Sequence, residues 1–269
     1  MSESASQSGS AATARVPLLE ATGINKSFGP VHVLHDVDFQ VHPGTVTALI
    51  GDNGAGKSTL IKCIAGIHGI DTGSLRFDGE DVPIGNPRDA FDLGIKVVYQ
   101  DLALCDNLDI VQNMFLGREI VRRGVLDEHA MEMSARETLA SLSVRTVKSV
   151  RQPVASLSGG QRQTVAIAKA VLGHSRLVVL DEPTAALGVA QTEQVLELVR
   201  RLADSGVGVV LISHNMNDVL EVADRVCAMY LGRTAADIPN HNGLSRETLV
   251  ELITSGRSGS HGLIDGIVA

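Results

Sequence analysis

An apolar run rich in β-branched residues, Val46–Ile50, breaks into Gly51-Asp52-Asn53-Gly54-Ala55-Gly56-Lys57-Ser58-Thr59, and a helical pattern over Lys57–Gly66 follows at once. A strand that ends in a glycine-rich loop and restarts as a helix leaves few folds open. Gly54 and Gly56 permit backbone conformations that turn successive amides inward, which makes a nest for an anion. The helix N-terminus points its dipole at the same place. Lys57 offers a point charge to outer phosphates, the Ser58 hydroxyl offers a hard oxygen to Mg²⁺, and Thr59 can bond an inner phosphate. Gly51, Asp52, Asn53 and Ala55 complete the loop. The strand before and the helix after separate this pattern from a chance glycine-rich turn.

The rest of the chain fits around that unit. Ile95–Tyr99, Leu177–Leu180, Val207–Ile212 and Val226–Tyr230 are further short apolar runs. Most are apolar throughout, as strands covered on both faces are. Helical patterns lie between them, at Ala190–Ser205 for example, where Gly206 is the stop. The alternation predicts an α/β fold with a mostly parallel sheet, and the phosphate loop at 51–58 within it predicts a P-loop NTPase core. Residues 18–42 and 72–84 carry short strands punctuated by Gly, Pro and Asp, and predict a small N-terminal antiparallel β subdomain. Residues 101–156 interrupt the core with helical patterns, so an inserted α-helical subdomain is expected over about 101–165. Asp127–Leu142 is its clearest helix, with Ala130, Met133, Leu139 and Leu142 available to one side.

The domain is expected over 16–254, with a Ser/Ala-rich disordered tail at 1–15 and a flexible tail at 255–269. The chain of 269 residues is 44% hydrophobic but only 3% aromatic, so the core must rest on Val, Leu, Ile and Ala. A net charge of −8 argues against a non-specific nucleic-acid binder, and no nucleic-acid partner is expected. Cys63, Cys105 and Cys227 lie far apart with no CxxC pair, which argues against a zinc or disulfide framework. Cys63 and Cys227 read as core thiols, His32, His35 and His42 as surface or packing residues, and Arg122-Arg123 as a solvated pair. No run reaches the roughly 18 apolar residues that a membrane-spanning helix needs.

Asp181 and Glu182 end the run Leu177–Leu180, and ligands of open α/β sheets bind beyond the carboxyl ends of strands. Two adjacent acids suit two jobs: Asp181 holding Mg²⁺ through its water shell, and Glu182 polarising an attacking water. His214 follows the strand Val209–Ile212 and can reach a γ-phosphate. Gln100 ends the Ile95–Tyr99 strand and can meet both the metal and the water. A histidine or glutamine at a strand end is common and carries little by itself. Ser158 is a good N-cap for a helix over Gly159–Leu172 with Gly173 as its stop. Gly159 and Gly160 in the first turn cost about 1 kcal/mol each, which makes sense where something approaches the backbone closely. An anion at that helix end fits, with Gln161 beside it.

Taken together, these segments resemble the nucleotide-binding subunit of an ATP-binding-cassette (ABC) transporter over about residues 18–254. The matching motifs are the Walker A loop at 51–58, the Q-loop Gln100, the Leu157-Ser158-Gly159-Gly160-Gln161 signature, the Walker B strand at 177–182 and the switch His214. The resemblance implies ATP and Mg²⁺ as ligands, with catalysis by Lys57, Gln100, Glu182 and His214. It implies a head-to-tail dimer in which Ser158, Gly159, Gly160 and Gln161 act on the partner's nucleotide. It further implies integral membrane permease subunits contacted through the Q-loop side of the helical subdomain, and an extracellular or periplasmic sugar-binding protein as an indirect partner. The protein would then sit at the cytoplasmic side of the membrane. Two departures stand out. Phe28 occupies the place where an adenine-stacking Tyr is usual, and stacking survives that change. Gly188 occupies the place of the usual D-loop Asp, which puts the cross-dimer contact of that residue in doubt. Glu182-Pro183-Thr184-Ala185-Ala186-Leu187-Gly188 and Ile212-Ser213-His214-Asn215-Met216 are similar to importers of simple sugars of the ribose, xylose and fructose type. A single cassette brings the chain nearer to the short fructose type, and the regulatory C-terminal barrel of some other sugar-import ATPases is not expected. Import of a non-sugar solute and a non-transport role at ribosomes or nucleic acid are the alternatives.

Overall fold

The computed structural model describes residues 16–142, 147, 149–240, 244–258 and 261–262. The expected tail at 1–15 lies outside the described residues. The chain opens with two long strands, β1 (Leu19–Phe28) and β2 (Val31–Val41). Then come β3 (Val46–Gly51), helix α1 (Lys57–Ile64), β4 (Thr72–Phe77), β5 (Glu80–Asp81), α2 (Pro87–Asp92) and β6 (Ile95–Val98). A mainly helical insertion follows, with α3 (Ile110–Phe115), the hairpin β7 (Val121–Arg122) and β8 (Val125–Leu126), and α4 (Glu128–Ser141). The core resumes with α5 (Gly159–Val171), β9 (Leu177–Asp181), α6 (Val189–Asp204) and β10 (Gly208–Ile212). It closes with α7 (Met216–Val222), β11 (Arg225–Tyr230), β12 (Arg233–Pro239), α8 (Arg246–Ser255), β13 (Arg257–Ser258) and β14 (His261–Gly262).

Two sheets carry the fold. The larger runs β12-β11-β3-β10-β9-β6, parallel throughout except for the antiparallel edge pair β11–β12. The smaller, β2-β1-β4-β5, is antiparallel, so the expected β subdomain forms from the two segments named for it. The uniformly apolar strands have a direct cause. Val178 and Leu180 of β9 enter one core with α5 and α6, while Leu177 and Val179 enter a second core with β1, β2 and α1. A strand buried on both faces has no polar side to show. Cys63 and Cys227 lie in the second core, each 1% exposed.

Local signals place the helices as read. α5 starts on Ser158 and stops before Gly173, whose φ of 87° ends it. α4 starts on Asp127, whose side chain accepts from the Ala130 amide at 3.0 Å. The buried face of α4 differs from the expected one. Met131, Ala135 and Leu139 pack inward, Leu142 joins them, and Met133 is exposed. Spacing of three to four from Leu139 selects Ala135 and Met131, and Met133 lies off that stripe. Within the stretch expected to be a flexible tail, α8 reaches Ser255 and Arg257–Ser258 pairs with His261–Gly262. Arg122 and Arg123 are exposed on the β7–β8 hairpin, and the His32 and His35 rings lie 3.8 Å apart, centroid to centroid.

Candidate functional site

Parallel register brings three distant motifs together. Ile212 of β10 is paired on one side with Leu49 of β3 and on the other with Asp181 of β9. The chain leaves all three strands at the same end of the sheet, so the 51–56 loop, the Asp181–Glu182 turn and the Ser213–His214 turn emerge side by side. They enclose a cavity of about 280 Å³ lined by Asn53 to Thr59, Asp181, Glu182, His214 and, from β2, Val33. Val33 has no signal of its own in the sequence, since only the fold of the β1–β2 hairpin delivers it.

The loop is built for close approach. Gly56, the N-cap of α1, has φ 101°, and a Cβ there would lie 2.8 Å from Leu34 Cδ2. No side chain caps α1, so its first amides are left to the cavity. Lys57 lies across the loop, and its Nζ donates to the Gly51 carbonyl at 2.6 Å and the Asp52 carbonyl at 3.0 Å. Burial lowers its pKa, against the pull of Glu182, Asp52 and Asp181. Asp181 is raised, first by burial and then by the charge of Glu182, with Lys57 and His214 opposing. A half-buried acid and a buried ammonium that moderate each other's charge suit a site for a polyanion and its counter-cation.

Glu182 is held in an unusual backbone state, φ 52°, which costs a non-glycine residue about 1–2 kcal/mol. Its amide donates to the Ile212 carbonyl at 3.0 Å, and its Oε1 lies 2.6 Å from His214 Nε2. The two residues predicted to flank a reacting phosphate are therefore already in contact. Gln100 is exposed beyond β6 and is not in the lining of this cavity, while its neighbours Tyr99 and Asp101 line another, of about 460 Å³, with Leu102, Leu116 and Arg118. Phe28 is 43% exposed at the end of β1, with its ring edge-on to His68 at 5.1 Å. Lys26 and the Ser27 amide both hold Asp71, at 2.8 and 2.6 Å, and so fix that strand end beside the segment after α1.

The signature residues lie apart from the cavity lining. Ser158 Oγ accepts from the Gln161 amide and Gln161 Oε1 accepts from the Ser158 amide, a reciprocal capping box. Ser158 and Gly159 are exposed. The close neighbour of Gly160 belongs to the same chain: a Cβ there would lie 3.1 Å from Gln191 Cβ, on the first turn of α6. The glycine pair thus has an internal packing reason at Gly160, which only the fold reveals. Gly188 is the N-cap of α6, and a Cβ on it would meet nothing within 4 Å, so packing does not require a glycine there.

Comparison with known proteins bears on this geometry. A family profile described as ABC transporter matches residues 34–185. The fructose import ATP-binding protein of Rhizobium meliloti is 47% identical, over 82% of this chain and 87% of that protein. The xylose/arabinose import ATP-binding protein of Sulfolobus acidocaldarius is 46% identical, over 80% and 86%. A ribose import ATP-binding protein of Rubrobacter xylanophilus is 43% identical over 90% of this chain, which spans 48% of that longer protein. Among solved structures, an ATP-binding cassette of an ABC transporter aligns with TM-score 0.76 at 25% identity, over 89% of this chain and 96% of that one. A cassette solved as a dimer in a post-hydrolysis state with ADP and phosphate shares the fold, at TM-score 0.69 and 22% identity, over 83% and 99%.

Proposed function

The chain belongs to the ABC transporter family, and we propose that it is the ATP-hydrolysing subunit of a monosaccharide importer, working head to tail with a second cassette, most simply another copy of itself. The observation that carries this is the single cavity holding the Lys57 loop, Asp181, Glu182 and His214, set apart from a self-capped Ser158–Gln161 turn whose Ser158 and Gly159 are exposed. The first half grips a nucleotide, and the second is offered to the nucleotide of the partner. The sugar follows from the fructose, xylose/arabinose and ribose importers among the relatives.

In this reading the amides from Gly54 to Thr59 and the Lys57 ammonium hold the ATP phosphates, and Phe28 stacks on the base. The chemistry of the donors fits Mg²⁺: Ser58 and Asp181 are hard oxygen ligands lining one cavity, and magnesium takes few protein ligands beside substrate phosphates. Bound there, it would neutralise charge developing on the phosphate oxygens. Glu182 orients and deprotonates the attacking water, and His214 sits against the Glu182 carboxylate and within reach of the γ-phosphate. Gln100 joins when the partner domain closes. Most of the acceleration comes from positioning and charge neutralisation.

Among the described residues no helix is long and apolar enough to cross a membrane, so a separate permease supplies the path. The groove beside Gln100, between Tyr99 and Leu116, is the surface offered to it, at the cytoplasmic side of the membrane. A sugar-binding protein acts on the far side, through the permease. The test is uptake. Disrupting the chain should abolish energy-dependent uptake of one monosaccharide from a labelled panel, and a copy carrying Glu182→Gln should not restore it. Normal uptake of every sugar in the panel would overturn the sugar assignment, and full restoration by Glu182→Gln would overturn the hydrolytic one.

A further inference from the structure

Asp218 is a carboxylate only 4% exposed, in the first turn of α7, a helix whose Val219 and Val222 are buried as well. A buried charge of this kind is costly unless several donors hold it. Two do. Thr184 Oγ1 donates to Oδ2 at 2.7 Å, and Asn215 Nδ2 donates to Oδ1 at 2.6 Å. Their places in the chain give the arrangement its meaning. Thr184 lies two residues past Glu182, on the turn leaving β9, and Asn215 directly follows His214, on the turn leaving β10. Asp218 therefore joins the two turns that bring Glu182 and His214 to 2.6 Å of each other.

The carboxylate turn is not held by local preference, whereas the switch turn is tied by its own neighbours. Glu182 is in the left-handed region at φ 52°, a conformation that persists where surrounding contacts fix it. The Asn215 amide is tied to Ser213 Oγ at 3.0 Å, and the Asn215 side chain also caps α7 by accepting from the Asn217 amide at 3.1 Å. Helix start, switch turn and carboxylate turn thus converge on one buried acid. Charge-assisted bonds of 2.6 to 2.7 Å are the strong kind, and they define distance more sharply than apolar packing does.

We propose that Asp218 is a positioning residue for hydrolysis: by bridging Thr184 and Asn215 it sets the spacing between Glu182 and His214, without itself touching nucleotide or water. The proposal rests on the reading of Glu182 and His214 as hydrolytic residues. An acid in the first turn of a helix ordinarily reads as a dipole partner. Only the pairing of β9 with β10 reveals that Thr184 stands over it.

The test uses the full chain, with turnover and KM for ATP measured well below the melting temperature. Thr184→Val keeps the shape and removes the hydroxyl. It should lower kcat about 10- to 100-fold with KM within about 3-fold, since the phosphate loop does not use this bond. Thr184→Ser should restore most of the rate. Asp218→Asn should outperform Asp218→Ala, because an amide can accept from Asn215 and donate to the Thr184 hydroxyl. The pair Thr184→Val with Asp218→Ala should be no slower than Asp218→Ala alone. A Thr184→Val protein that melts lower but keeps its kcat would reduce the network to stability and overturn the proposal, even if Asp218→Ala fails to fold. So would equal losses in the Val and Ser variants. Glu182→Gln separates the two levels. Near-normal turnover in Glu182→Gln overturns the underlying reading and the proposal with it, whereas an inactive Glu182→Gln beside a normal Thr184→Val overturns the positioning role alone.

Discussion

Two helix starts in this molecule are suited to an anion, and they are finished in opposite ways. α1 begins at Gly56 with no side chain over its first amides, walled in by the ends of β3, β9 and β10. α5 begins at Ser158, exposed, with Ser158 and Gln161 satisfying each other's amides. The first is a socket preformed by sheet topology, where leaving donors unclaimed is affordable because a ligand claims them. The second must be stable while facing water, so it caps itself, and an incoming anion has to compete with or join that cap. Such a division suits a reaction centre assembled from two chains, with specificity for the assembled state built into the half that is closed on itself.

The comparison breaks most completely at Lys57. Lys57→Ala removes the only cation lining the socket among the described residues, and turnover should fall on the order of 10³-fold or more, with nucleotide binding lost in a titration. Retained ATPase would mean that the socket is not the phosphate site. Glu182→Gln should bind ATP normally and lose roughly 10²–10⁴ in turnover. A near-normal rate would take Glu182 out of its role and leave its strained backbone without a functional reason.

Ser158→Asp probes the other half. Asp caps a helix as well as Ser does, so α5 and the melting temperature should hold. A negative charge at that point would repel a partner's phosphate, and turnover should fall about 10²-fold while ATP binding to the single chain stays unchanged. If turnover survives, Ser158 is a cap and nothing more, and the two helix starts do not serve one reaction.

How much of this could be read before the fold was known differs between the same two regions. The socket was legible because its signals are local: a strand, a glycine loop and a helix in sequence, then acids and a histidine at strand ends. Even the uniform apolarity of Leu177–Leu180 spoke of a strand covered twice, as the two cores show. What escaped was whatever depends on contact between distant segments. Val33 reaches the cavity only through the hairpin, Gly160 is small because Gln191 packs on it, and Asp218 looks like an ordinary first-turn acid until Thr184 is placed above it. Met133 of α4 faces outward rather than inward for a related reason: a helix with a weak apolar stripe takes its orientation from what it packs against.

The smallest effect is expected at Phe28, and it decides how far the first region extends. The ring lies outside the enclosed cavity, half exposed, yet its position is fixed: His68 meets its edge, and Asp71 takes hydrogen bonds from both Lys26 and the Ser27 amide. Four residues from two separate segments would not need to steady an aromatic that only covers surface. If the base of ATP stacks there, Phe28→Ala should weaken ATP about 10-fold with kcat within about 2-fold, and Phe28→Tyr should behave like the parent. Such a result places base recognition and phosphate recognition on one chain, because Asp71 and His68 lie only a few residues beyond the helix that begins at Lys57. An unchanged affinity in Phe28→Ala would confine that chain's share of the nucleotide to the phosphates and leave the base to be held from across the dimer.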